Sequence, residues 1–144
     1  MQGGHMKIHL AAVVGAAFLF GGCAMMGAAK EKPNMTVSQE LPAAEGTADF
    51  ARTKNENTSI EVKVKHLASP EKLDPPAVTY VVWVRQDGEE RPQNVGALKV
   101  DDNLTGTLAT VTPLRRFELF ITAEDDGQAR EPSGEPLLWT SHNG

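Results

Sequence analysis

One stretch constrains this chain more than any other. Val78 to Val84 reads Val-Thr-Tyr-Val-Val-Trp-Val, with a β-branched or aromatic residue at every position. Such side chains fit a pleated sheet and crowd a helix, so the run predicts a central β-strand. Shorter segments bounded by turn residues flank it on both sides, the pattern of an all-β sandwich.

The strands can be taken in order. Gly46 to Thr53 is a weak first segment, with Ala48 and Phe50 packing as an edge strand, and Asn55-Glu56-Asn57 turns the chain. Ser59 to Leu67 alternates, with Ile60, Val62 and Val64 on one face and Glu61, Lys63 and Lys65 on the other. A period of two with one wet face is a half-buried strand. Pro70, Pro75 and Pro76 follow. Their lack of amide donors keeps them out of a sheet interior and suits a crossing between two sheets. After the central strand, Val78–Arg85, Asp87-Gly88 predicts a type I′ hairpin. Asn94 to Val100 forms one further strand, and Asp101-Asp102-Asn103 turns into Leu104–Val111. Arg116 to Glu124 sets Phe117, Leu119, Ile121 and Ala123 against Glu118, Phe120, Thr122 and Glu124. Asp125-Asp126-Gly127 turns again, and Glu135 to Ser141, carrying Leu137 and Trp139, closes the set. About seven strands in about 100 residues predict an immunoglobulin-like antiparallel β-sandwich.

The first part of the chain reads differently. Met6-Lys7 opens a short basic region, Leu10 to Phe20 is a hydrophobic run of about eleven residues, and Gly21-Gly22-Cys23 closes it. A core of that length, basic on one side and small on the other, is a secretory signal and is short for a membrane span of about 20 residues. Residues 1–5 have the look of a start placed ahead of Met6. From Ala24 to about Ala44, small and polar residues punctuated by Pro33 and Pro42 show no period of 2 or 3.6. They predict a flexible tether. The expected organisation is therefore a signal over 1–22, a modified cysteine and linker over 23–44, and the sandwich over 45–144.

Charge and cysteine count narrow the functions open to the chain. Its 144 residues carry a formal charge of -5, and removal of residues 1–22 takes away Lys7 and no acid. An acidic chain without a basic stripe offers nucleic acid no electrostatic footprint. Cys23 is the single cysteine, which excludes an internal disulfide framework and a cysteine-cluster metal site.

Two resemblances add to this. Leu19-Phe20-Gly21-Gly22-Cys23 resembles a bacterial lipobox, with Phe20 in place of the usual leucine-like residue. The resemblance implies cleavage between Gly22 and Cys23 and a diacylglycerol thioether on Cys23, with palmitate-type acyl chains. Ala24 after the cysteine, by the same resemblance, implies the periplasmic face of the outer membrane. The alternative is a free thiol at the end of an uncleaved membrane helix. Further on, Tyr80-Val81-Val82-Trp83-Val84, Gly96-Ala97-Leu98, the strand Phe117 to Glu124 and Pro132-Ser133-Gly134-Glu135-Pro136-Leu137-Leu138 resemble the extracytoplasmic domain of anti-sigma-K factors. Those factors carry a cytoplasmic sigma-binding segment and a membrane span ahead of the domain. This chain has no such pair, so the resemblance implies a fold and a cell-surface setting and leaves sigma regulation aside.

Reactive constellations are scarce. Outside the signal, only His66 and His142 could serve as a base for a Ser or Thr nucleophile, and no Gly-x-Ser-x-Gly or phosphate loop occurs. Asp101-Asp102 and Glu124-Asp125-Asp126 are acidic turns without EF-hand spacing, so no metal and no cofactor is expected. Arg115-Arg116 reads as a wet edge discouraging strand-to-strand aggregation. Tyr80, Trp83 and Trp139 are the candidate binding residues, since exposed rings can stack on a sugar or grip a partner; core packing is the favoured reading, because Trp83 lies mid-strand among valines. The expectation is a non-catalytic, lipid-anchored envelope module that meets the membrane through Cys23 and engages an envelope protein. The alternative is a periplasmic binder of glycan or a small ligand.

Overall fold

The computed structural model describes residues 33–144. The signal, Gly22 and Cys23 lie outside the described residues. Nine strands form among the described residues: β1 Thr36–Val37, β2 Glu45–Arg52, β3 Thr58–Lys65, β4 Thr79–Gln86, β5 Gln93–Ala97, β6 Lys99–Val100, β7 Gly106–Thr112, β8 Phe117–Glu124 and β9 Leu138–His142. One sheet runs β1-β9-β8-β4-β5 and the other β2-β3-β7-β6, all pairs antiparallel. Leaving aside the short β1, the order β2-β3-β7-β6 against β9-β8-β4-β5 is that of strands A-B-E-D against G-F-C-C′. This is the immunoglobulin-like sandwich.

The central strand is β4, hydrogen-bonded to β8 along its whole length and to β5 on its other side. Tyr80, Val82 and Val84 point into the space between the sheets, where they meet Ile60, Val62 and Val64 of β3 and Leu119 and Ile121 of β8. Val81 and Trp83 point the other way and are equally buried. Burial on both faces is why this run lacks alternation. Val78 precedes the strand and is 71% exposed, so the run's first residue is not part of the core. In β3, by contrast, Glu61, Lys63 and Lys65 are exposed, as the period of two requires.

Four boundaries differ from the sequence reading, each for a physical reason. Residues 33–44 are not a tether: β1 pairs with β9, and Met35, Leu41 and Ala44 sink into the core. Isolated apolar residues without periodicity fill gaps at the sandwich edge, a signal that pattern counting misses. Asn94–Val100 is two strands. The Leu98 N–H still bonds to Tyr80 O at 2.9 Å, while Lys99 already pairs with Thr107 of the opposite sheet. Gly96, at φ 139°, marks this departure. The Asp87-Gly88 turn is not type I′, because positive φ occurs at Gly88 and not at Asp87; the connection runs on to Gln93. Arg115-Arg116 guards no edge, since β8 lies between β9 and β4. Arg115 instead reaches Glu56 at 3.2 Å across the turns at that end.

Candidate functional site

The β8–β9 connection is the part of the domain that the alternation pattern describes least well. In β8, Phe120, Thr122 and Glu124 lie on the face opposite Phe117, Leu119 and Ile121, yet all are buried. The cause is the connection itself, residues 125–137, which folds back over the outer face of its own sheet. Beneath it lie Val81, Trp83 and Phe120, with Ala129 and half-buried Trp139 packed against them. Burial of such rings excludes water over a large apolar area, so a small second core forms there.

Two polar clasps hold the strap down. Asn94 of β5 donates from Nδ2 to Gly127 O at 3.0 Å and to Ala129 O at 2.9 Å. At the other end a chain of donors converges on one carboxylate. Trp83 Nε1 donates to Thr122 Oγ1 at 2.8 Å, and Thr122 Oγ1 donates to Glu124 Oε1 at 2.6 Å. Ser133 then donates its backbone N–H to the same oxygen at 2.9 Å and its hydroxyl to Oε2. A buried carboxylate is costly unless its lone pairs are used, and here both oxygens are engaged. No buried side-chain polar atom among the described residues lacks a partner. The arrangement spends its hydrogen-bonding capacity on its own members and fixes a loop; sequence reading saw Ser133 only as part of a proline-glycine lead into β9.

The three candidate aromatics do not make one surface. Tyr80 is fully buried on the opposite face of β4 from Trp83, and its hydroxyl donates to Ala68 O at 2.7 Å. Burial pushes its phenol up to about 12. Trp83 is fully buried under the strap. Trp139, opposite Phe120 across the β8–β9 ladder, is half-buried. Tyr80 and Trp83 pack as core residues, the reading favoured from the sequence: successive positions on one strand point to opposite faces, and both faces of β4 are covered.

The remaining candidates are dispersed. His66 is exposed at the end of β3 with φ 56°. His142 stacks on Phe50 and Phe117, with centroids 4.6 and 5.3 Å away, and burial lowers its pKa. Asp101 uses Oδ1 to accept the N–H groups of Asn103 and Thr105, and Asp126 accepts that of Gln128. These acids shape turns. No group of three or more His, Cys, Asp or Glu among the described residues is arranged to hold a metal.

Among the surface concavities, two lie beside charged residues. One, about 310 Å³, lies where the β3–β4 and β8–β9 connections meet and is lined by Leu73, Pro75, Ala123, Leu137, Asp74 and Asp125. The other, about 460 Å³, lies on the four-stranded sheet and mixes Thr47, Thr107, Asp49, Glu61, Lys63 and Lys99. Among the described residues no helix is long and apolar enough to cross a membrane. No family model matches the chain, and no curated protein matches it.

Proposed function

We propose that the chain is a lipid-anchored, non-catalytic module of a bacterial envelope, fixed to the membrane by acyl chains on Cys23 and engaging an envelope protein through its sandwich. The observation that carries this reading is the placement of Cys23. It directly follows Gly21-Gly22 at the end of a hydrophobic run too short to span comfortably. One acyl chain binds a membrane marginally, whereas two or more hold it firmly, which suits the acylated cysteine that a lipobox implies. Ala24 supports the periplasmic face of the outer membrane. The internal closure of the Trp83–Thr122–Glu124–Ser133 chain supports a structural role for the polar group that most resembles a site.

The glycan-binding alternative has lost its ring platform, since Tyr80 and Trp83 are buried. The residues behind the likeness to anti-sigma-K extracytoplasmic domains are core and strap residues, which supports a shared scaffold and no shared partner. The test is metabolic labelling with a palmitate analogue, followed by detergent phase partitioning. The wild-type chain should take up label and enter the detergent phase, and Cys23→Ser should do neither. Equal labelling of both chains would overturn the proposal.

A further inference from the structure

The charge of the sandwich is divided between its two ends. The β2–β3 turn, residues 53–57, and the β7–β8 turn, residues 113–116, lie side by side. Thr58 Oγ1 donates to Leu114 O at 2.7 Å, and Arg115 reaches Glu56 at 3.2 Å. Together the turns bring Arg52, Lys54, Arg115 and Arg116 to one corner, all of them exposed. Glu56 is the acid set among them, shared by Arg115 and by Arg52 at 3.6 Å. Lys54 and Arg116 have no ion pair among the described residues. The β4–β5 connection at the same end carries Asp87, Glu89 and Glu90, so the positive region is this corner and not the whole end. At the far end, Asp74, Asp101, Asp102, Asp125, Asp126 and Glu135 outnumber Lys65 and Lys72.

The N-terminal segment joins the sandwich along the axis between these ends. Met35 N bonds Gly46 O and Ala48 N bonds Pro33 O, so residues 33–35 run antiparallel to β2. Traced back from Met35 to Pro33, the chain heads toward Arg52. Ala48 and Arg52 are four residues apart on β2, about 13 Å at the rise of a strand. Cys23 stands ten residues before Pro33, a length that spans at most about 35 Å. A membrane that holds the chain at Cys23 is therefore within reach of the whole sandwich, and charge decides which part meets it.

We infer that the corner formed by Arg52, Lys54, Arg115 and Arg116 rests on anionic phospholipid headgroups of the membrane that holds the chain. The inference builds on the membrane attachment proposed above. Basic side chains gain from a negative surface within about one Debye length, about 10 Å at 0.1 M salt, and the short tether keeps the corner at that range. A basic patch and a lipid anchor reinforce one another as membrane signals. The acidic end is repelled and turned outward, so the concavity beside Leu73, Pro75 and Asp125 faces away from the membrane. The tether is the reason for choosing a membrane over a soluble polyanion: it presents this one anionic surface continuously.

The full chain is reconstituted in vesicles of phosphatidylcholine, with and without phosphatidylglycerol, and its lysines are acetylated and mapped by mass spectrometry. With phosphatidylglycerol present, Lys54 should react about five-fold more slowly, the factor one basic residue contributes near an anionic surface. Lys72, at the far end, should react equally on both vesicles. Salt of about 0.5 M should abolish the protection, and so should Arg116→Glu with its unfolding midpoint kept. Equal reaction of Lys54 on the two vesicles, protection of Lys72 instead, or protection that survives both salt and Arg116→Glu would each overturn the inference. Flotation separates this from the anchoring proposal. A chain that fails to float with pure phosphatidylcholine vesicles contradicts the anchor, whereas one that floats with unprotected Lys54 contradicts the docked corner alone.

Discussion

The carboxylate of Glu124 and the backbone N–H of Ser133, nine residues apart, meet at 2.9 Å and close the β8–β9 connection over Trp83. The strap's position rests on this bond and on the two that Asn94 makes near its other end. Ser133→Ala removes the hydroxyl bond and leaves one carboxylate oxygen buried without it, a loss of about 1–3 kcal/mol. Glu124→Ala strips partners from Thr122 and Ser133 together and costs more. The two substitutions should couple in a double-mutant cycle, because both act on one network. Chemical unfolding measures the loss; red-shifted tryptophan emission in the folded variants would report water reaching Trp83.

Gly96 is held at φ 139°, and a Cβ there would stand 2.9 Å from Leu108 Cδ1. Gly96→Ala therefore meets both backbone strain and overpacking, the latter alone worth about 1–3 kcal/mol. Gly88, at φ 82°, has open space around it and should show strain only. Thermal unfolding should rank Gly96→Ala below Gly88→Ala, and Leu108→Ala in the Gly96→Ala background should recover part of the difference attributable to the clash.

Tyr80 makes stability depend on alkaline pH. Its pKa rises from 10.0 to about 12 because burial penalises the phenolate. The folded state therefore retains a proton that the unfolded state loses. The contribution is fully present below pH 10 and disappears as the pH rises toward 12. In Tyr80→Phe that alkaline loss should be absent, while stability at neutral pH drops by about 1 kcal/mol for the orphaned Ala68 carbonyl. Denaturant melts from pH 8 to 12 test both halves.

Val82 has no accessible surface and sits in the main core, so Val82→Asp buries a carboxylate without a partner and should prevent folding. Val78 lies four positions away in the same apolar run but is 71% exposed. Val78→Asp should leave the unfolding midpoint within about 0.5 kcal/mol of the parent. Circular dichroism and thermal melts of the two variants separate core from flank.

How much of this was legible in the sequence depends on range. β3 was clear because one face is wet and the side chains record it residue by residue. β4 was clear because β-branched and aromatic residues fill it. The burial of the outer face of β8 was not legible, since Phe120, Thr122 and Glu124 become buried only when a distant strap covers them. The Glu124–Ser133 clasp had the same obscurity: an acid beside a turn and a serine between proline and glycine are each commonplace, and only the fold brings them together. Residues 33–44 join the sandwich through the two-residue β1 and through isolated side chains, Met35, Leu41 and Ala44, with no period to announce them. The switch of sheets at Leu98 had one signal, Gly96, too weak by itself to divide a strand.

The most direct measurement of the central proposal is mass spectrometry of the N-terminal peptide from protein extracted out of a bacterial envelope. The expected result is a peptide beginning at Cys23, heavier by a diacylglycerol thioether and with residues 1–22 gone. A peptide retaining Gly21-Gly22 with an unmodified Cys23 thiol would contradict it.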